Sequence, residues 1–282
     1  MNSAVHVSPR FRAEVELHLV RNLVRLPAPG TPLLLGIHGP AGVGKSFQLD
    51  TVLRQVGVAV LPISSADLES DRANDPARLV RKTYLNAAQQ MEADGVVAAA
   101  VVINDIDAAL GDWGAMVQYT VNRQLVIGEL MHLCDRPASV TGSPNLRVPI
   151  FLTGNDFTKL YGPLRRSGRM KLFHWRPDAG EMVEILRAIL PQLPVVDIAE
   201  FVEQFPDKST SFFVDALNGA RDQYVRSLLH QYGVREVVWQ AKQGLIDTDG
   251  HVGVADLIAA AKGLLTNEQA VANYATPAFE EQ

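Results

Sequence analysis

Gly39-Pro40-Ala41-Gly42-Val43-Gly44-Lys45-Ser46 is the stretch on which the fold turns. It follows the short apolar run Leu33 to Ile37. It opens Ser46 to Val56, where Phe47, Leu49, Val52 and Leu53 recur as on a helix. Strand, loop, helix is the local order. The spacing Gly-x-x-x-x-Gly-Lys-Ser lets a glycine backbone curl its N–H groups around phosphate oxygens at the N-terminus of the following helix. Lys45 is expected to pair the outer phosphates. Ser46 is expected to offer its hydroxyl to Mg²⁺, a hard cation that takes oxygen ligands.

Working outward, Val58 to Ile63 reads as a second strand, Pro76 to Asp94 as a helix and Val96 to Ile103 as a third strand. A helix from about Val117 to Cys134 leads to a fourth strand, Val148 to Thr153, and a short fifth at Leu172 to Trp175. The alternation predicts an α/β domain with a five-stranded parallel sheet. Ahead of it, Phe11, Val15, Leu19, Leu23 and Leu26 keep helical spacing until Pro27 to Gly30 close the segment. Beyond Pro177 only helical periodicity remains: Met182, Ile185, Leu186 and Ile189, then Ile198, Phe201 and Val202, then Val225 to Leu229 and Val254 to Leu265. The expected organisation is a linker helix over 1–30, a nucleotide-binding α/β domain over 31–176, a small helical domain over 177–265, and a loosely attached tail over 266–282.

Composition narrows the partners. With 47% hydrophobic and 20% charged residues, the 282-residue chain has ample material for a core and too little charge to stay disordered. A net charge of −5 argues against bulk nucleic acid or an anionic membrane as the main partner. Gly95 to Ile103, the longest apolar run, is far too short to span a bilayer. Met1 to Arg12 lacks the apolar stretch of a secretory signal, and Cys134 is the single cysteine. Together these predict a cytoplasmic chain in a reducing compartment, with no membrane segment and no disulfide.

A phosphate loop needs a carboxylate delivered by a neighbouring strand. Val101-Val102-Ile103-Asn104-Asp105-Ile106-Asp107 supplies one. Asp105 is the expected residue, polarising the attacking water or reaching the Mg²⁺ shell. Asn104 takes the other of these two roles, and the register is open by one residue. The fourth strand ends in Thr153-Gly154-Asn155-Asp156, which puts the Asn155 amide at the C-terminal sheet edge, where it can orient water against a γ-phosphate. Arg165, Arg166, Ser167, Gly168 and Arg169, followed by Lys171, form a basic loop whose guanidiniums suit charge on a transferring phosphoryl group.

These residues, taken with Lys45-Ser46-Phe47-Gln48, Leu68-Glu69-Ser70, Gln118-Tyr119-Thr120-Val121-Asn122, Val148-Pro149-Ile150, Asp156-Phe157, Leu160-Tyr161, Gly168-Arg169-Met170 and Phe212-Phe213, resemble the AAA+ ATPases and, within them, the Rubisco activase family. The resemblance runs from about Phe11 to Val238. It implies a ring-forming ATPase, usually hexameric, that hydrolyses ATP with Mg²⁺ to remodel inhibited Rubisco and release tightly bound sugar phosphates. It implies an AAA+ P-loop domain followed by a helical lid, with Gly39 to Phe47 on the nucleotide. Arg166 and Arg169 match its arginine-finger positions, and Ser65 to Asp75 and Ala108 to Met116 match its two client-gripping pore loops.

Three departures qualify it. Only about ten residues precede the first amphipathic helix, where activases carry a client-binding domain, which leaves client recognition open. Asp112 followed by Trp113 stands where the second pore loop carries a basic residue. The nucleotide-sensing lid arginine aligns with Leu217, and Arg221, one helical turn on, is the candidate replacement. The alternatives are a remodeller or loader of a different client and a small-molecule P-loop kinase. The paired arginines speak against the kinase.

Overall fold

The computed structural model describes residues 6–24, 28, 30–69, 72, 74–92, 96–111, 120–247 and 252–275. Five pentapeptides, largely apolar with His38 in β1 and Lys171 and His174 in β5 as the chief exceptions, form the strands: β1 (Leu34–His38), β2 (Ala59–Ile63), β3 (Ala99–Ile103), β4 (Ile150–Gly154) and β5 (Met170–His174). β1, β3 and β4 are almost wholly buried, as continuous apolar strands are when helices cover both sheet faces. All pairings are parallel, in the order β2-β3-β4-β1-β5. Register then aligns the strand ends. His38 lies opposite both Gly154 and His174, and Ile103 lies opposite Leu152. The segments leaving β1, β3 and β4 therefore emerge side by side on one sheet edge. The centre of β1 must be small, because a Cβ on Gly36 would sit 2.5 Å from the Phe157 ring.

Helices α1 (Pro9–Leu23), α2 (Lys45–Gln55), α3 (Asp75–Glu92), α4 (Ile106–Leu110) and α5 (Thr120–Asp135) surround the sheet. α3 and α5 close one face with Val80, Tyr84, Val126 and Leu130, all fully buried. α1, expected to be a linker, is part of the same unit. Phe11 is fully buried, with its ring edge-on to Phe173 at 5.7 Å and to Trp175 at 5.1 Å. Truncating such a side chain to alanine costs about 3–5 kcal/mol, enough to make α1 integral rather than a spacer. The expected helix from Val117 is seen from Thr120 onward, since 112–119 lie outside the described residues.

Buried His18 on α1 sets a pH dependence. Its Nε2 lies 3.2 Å from the Leu33 carbonyl, which can only accept, so Nε2 carries the proton. Desolvation dominates and lowers its pKa to about 3, against the Leu33 and Ile150 carbonyls. The unfolded chain, with an ordinary imidazole, binds a proton that the folded chain refuses. Stability is thus expected to fall as pH drops from about 6.5 toward 3, by roughly 2 kcal/mol at pH 5. Urea midpoints at pH 7.5 and 5 should show this loss. In His18→Gln the pH-dependent part should shrink, and an unchanged pH slope would count against it.

By contacts the chain divides into two compact units, Val7–Arg176 and Pro177–Gln282. The second is helical: α6 (Ala179–Ile189), α7 (Val195–Gln204), α8 (Thr210–Lys242) and α9 (Val254–Ala275). Asp178 and Glu181 cap α6 reciprocally at 2.8 and 3.0 Å. Phe201 meets Phe213 edge-on at 5.0 Å in a core with Met182, Leu186, Ile198 and Leu257. Gly233, at φ 76°, interrupts α8. α9 continues past Thr266 to Ala275, into the span expected to be a loose tail. Apolar spacing fades there, but Gly and Pro are absent until Pro277, and extending an existing helix needs no new nucleus. No helix among the described residues is long and apolar enough to cross a membrane.

Candidate functional site

The loop after β1 takes its shape from glycines. Gly39, at φ 152°, passes so close to β5's exit that a Cβ there would lie 2.0 Å from the Trp175 carbonyl oxygen. Gly42 and Gly44 sit at φ 74° and 79°, the left-handed region. Trp175 pins the loop from behind, its indole N–H donating to the Val43 carbonyl at 2.9 Å. α2 starts at Lys45, so its first N–H groups lack helical partners and its positive dipole end faces the loop. The result is an open recess of about 300 Å³ lined by Ala41, Gly42, Gly44, Lys45, Ser46, Phe47, Asp105 and Asn155.

Lys45 is only 7% exposed. Its Nζ donates to the carbonyls of Gly39 (2.9 Å) and Pro40 (2.8 Å) and to Asn155 Oδ1 (2.9 Å). Burial lowers its pKa, opposed by the charges of Asp105 and Asp107. Ser46 joins a hydroxyl relay. Thr153 donates to Asn104 Oδ1 at 3.0 Å and accepts from the Asp105 N–H at 3.2 Å. Its one proton being committed, the 3.3 Å contact with Ser46 Oγ must be donated by Ser46. Ser46 thereby keeps its lone pairs for a cation, which fits Mg²⁺ chemistry. Asp105, exposed and in a left-handed conformation (φ 52°, ψ 43°), turns into the recess, whereas Asn104 is held by Thr153 beside Ser46. Both residues of the ambiguous pair thus adjoin the loop, with only Asp105 on the recess wall.

Two residues that sequence reasoning passed over organise this edge. Thr153, fully buried, ties β4 to β3 and α2 through the relay just described. Asp107, 2% exposed, accepts from the N–H groups of Asn155 and Asp156, both at 2.8 Å, and so aims the Asn155 amide at Lys45. The sequence signal for Asp107 is a second acid two residues after Asp105, between Ile106 and Ala108. At the entry to the loop, His38 stacks on Phe157 at 5.5 Å, and burial and then His174 push its pKa down.

The remaining expected residues lie elsewhere. Arg166 and Arg169 follow the short helical turn Gly162–Arg165 ahead of β5 and do not line the recess. Arg166 is exposed, whereas Arg169 forks onto Asp135 at the end of α5. Leu217 is buried in the helical unit's core and Arg221 is half-buried one turn later on α8. Of the expected pore loops Ser65–Asp75 and Ala108–Met116, residues 70, 71, 73 and 112–116, Asp112 and Trp113 among them, are outside the described residues.

The model of the ATPase family associated with various cellular activities (AAA) matches residues 35–177. The chain belongs to the AAA family. The match begins in β1 and ends just beyond β5, so it takes in the strands and the loop that build the recess. Similar proteins include the ribulose bisphosphate carboxylase/oxygenase activase of Anabaena sp., 40% identical over 240 residues, covering 82% of this chain and 58% of the relative. Activase 1 of Nicotiana tabacum is 36% identical, covering 82% and 54%, and that of Arabidopsis thaliana 36%, covering 84% and 51%. The chain thus spans little more than half the length of these relatives. Among solved structures, the FIGL-1 AAA domain in complex with ADP superposes with a TM-score of 0.66 at 18% identity, covering 96% of this chain and 88% of that one, a likeness of fold.

Proposed function

We propose that this AAA protein is an ATP hydrolase of the Rubisco activase type, which assembles as a ring, a hexamer, and remodels inhibited Rubisco so that tightly bound sugar phosphates leave. The observation that carries this is the 40% identity to an activase over 240 residues. That match is longer than the whole α/β unit, so it extends into the helical unit as well. Mg²⁺, when bound, neutralises charge between the outer phosphates. Lys45 holds those phosphates from the loop side, and Ser46 with Asn104 would provide oxygens toward the cation. Asp105 takes the proton from the attacking water as its oxygen bonds to phosphorus and ADP departs. Asn155 orients that water. Arginine from the 165–169 loop of a neighbouring subunit stabilises the developing charge, and Arg221 of the helical lid senses the nucleotide.

Client grip is assigned to Ser65–Asp75 and to the loop containing Asp112 and Trp113, and the compartment is the cytoplasm. A single thiol whose pKa burial raises to about 12 is inert and suits a reducing environment. The test is direct. Rubisco inhibited by its own sugar-phosphate substrate should regain carboxylation when this protein, ATP and Mg²⁺ are added, and not with ADP. Failure to reactivate by a preparation that hydrolyses ATP would assign the protein to another client.

A further inference from the structure

The two arginines of the 165–169 loop stand in opposite situations. Arg169 donates Nε to Asp135 Oδ1 at 3.0 Å and Nη2 to Asp135 Oδ2 at 2.9 Å, while Nη1 donates to the Pro163 carbonyl at 3.1 Å. Every nitrogen of its guanidinium is therefore engaged within its own subunit. Its backbone is equally fixed, with its carbonyl accepting from Leu34 N–H at 3.0 Å and its N–H donating to Arg166 O at 3.0 Å. Arg166 is exposed, and no partner for its guanidinium is seen among the described residues. A planar fork on a carboxylate sets orientation as well as charge, so a residue so held is suited to bracing. Reaching a neighbour's phosphate would cost Arg169 three hydrogen bonds and Arg166 none.

We propose that Asp135 is a positioning residue for the arginine loop: it locks Arg169 as the brace of that loop, and Arg166 is the arginine whose guanidinium crosses to the neighbouring subunit's phosphate. This rests on the ring ATPase reading above. It predicts that Asp135 and Arg169 act as one unit, distinct from Arg166.

Steady-state ATP hydrolysis is measured on full-length chains at a concentration where the wild type is assembled. Arg166→Ala should lower kcat on the order of 100-fold or more. Asp135→Ala and Arg169→Ala should each lower it by a similar, smaller factor, roughly tenfold, through misplacement of the loop. The double alanine variant should be no worse than either single one. The charge-swapped chain, Asp135→Arg with Arg169→Asp, restores an ion pair but leaves no cation at 169, and should recover most of the lost kcat. The outcome that overturns the proposal is a swapped chain as inactive as Arg166→Ala beside an Asp135→Ala chain at the wild-type rate, because Arg169 would then be the phosphate contact.

A wild type whose hydrolysis per subunit is independent of concentration would defeat the ring reading and, with it, the role of Arg166. The brace stands separately on thermal melting of the wild type, Asp135→Ala, Arg169→Ala and their double alanine variant. Non-additive Tm shifts for Asp135→Ala and Arg169→Ala support it, and fully additive shifts reject it.

Discussion

Lys45→Ala should abolish measurable turnover, lowering steady-state ADP release on the order of 100-fold or more. The Lys45 ammonium has three donors, and all three are used in place, on Gly39 O, Pro40 O and Asn155 Oδ1. It spans the loop and the end of β4, where the proposed function puts the outer phosphates of the nucleotide. Alanine removes the recess's positive charge and leaves three acceptor oxygens facing an anion. The fold should survive, because burial lowers the Lys45 pKa and its charge is therefore held at a cost to the folded chain. A circular-dichroism melt should place Tm at or near the wild-type value. Wild-type ADP release by a folded Lys45→Ala chain would sink the assignment of the recess.

Mixing two dead proteins should produce a live one. Arg166→Ala subunits keep a complete recess but lend nothing to a neighbour, and Lys45→Ala subunits lend an intact arginine loop but cannot hold phosphate. In a ring built head to tail, a site works when an Arg166→Ala subunit receives its arginine from a Lys45→Ala subunit. Random assembly at equal concentrations makes about a quarter of all sites of this kind. Hydrolysis should thus rise from near zero in either protein alone to about a quarter of the wild-type rate, and fall again on dilution. Mixtures that hydrolyse no faster than the sum of their parts would show that no arginine is shared across a subunit boundary.

How much of this was legible beforehand depended on the range of the interactions. Gly39 to Ser46 was readable because left-handed glycines and a helix N-terminus are set within a few residues of themselves, and the apolar pentapeptides announce buried parallel strands in the same way. Asn104 and Asp105 were found but not ordered. What separates them is Thr153, 49 and 48 residues away, which engages the Asn104 side chain but only the Asp105 backbone. Asp107 was invisible as a functional residue because its meaning lies in two N–H groups of another strand's exit. The helical end of α9 escapes the same reading for the opposite reason: apolar periodicity reports packing, and a helix continues past its periodic stretch when no Gly or Pro breaks it.

The chain's local chemistry therefore determined its class: an α/β phosphate-binding domain with a helical companion, the lysine and hydroxyl for phosphate and cation, and a basic loop ahead of the last strand. Tertiary structure decided the division of labour. Parallel register laid β1, β3 and β4 level, so that Ser46, Thr153, Asn104 and Asp105 closed one relay. The return of α5 against the loop ahead of β5 brought Asp135 to Arg169, 34 residues on, and left Arg166 exposed. Two arginines three residues apart on one loop have the same local sequence environment, and only the placement of a carboxylate from a distant helix makes them different.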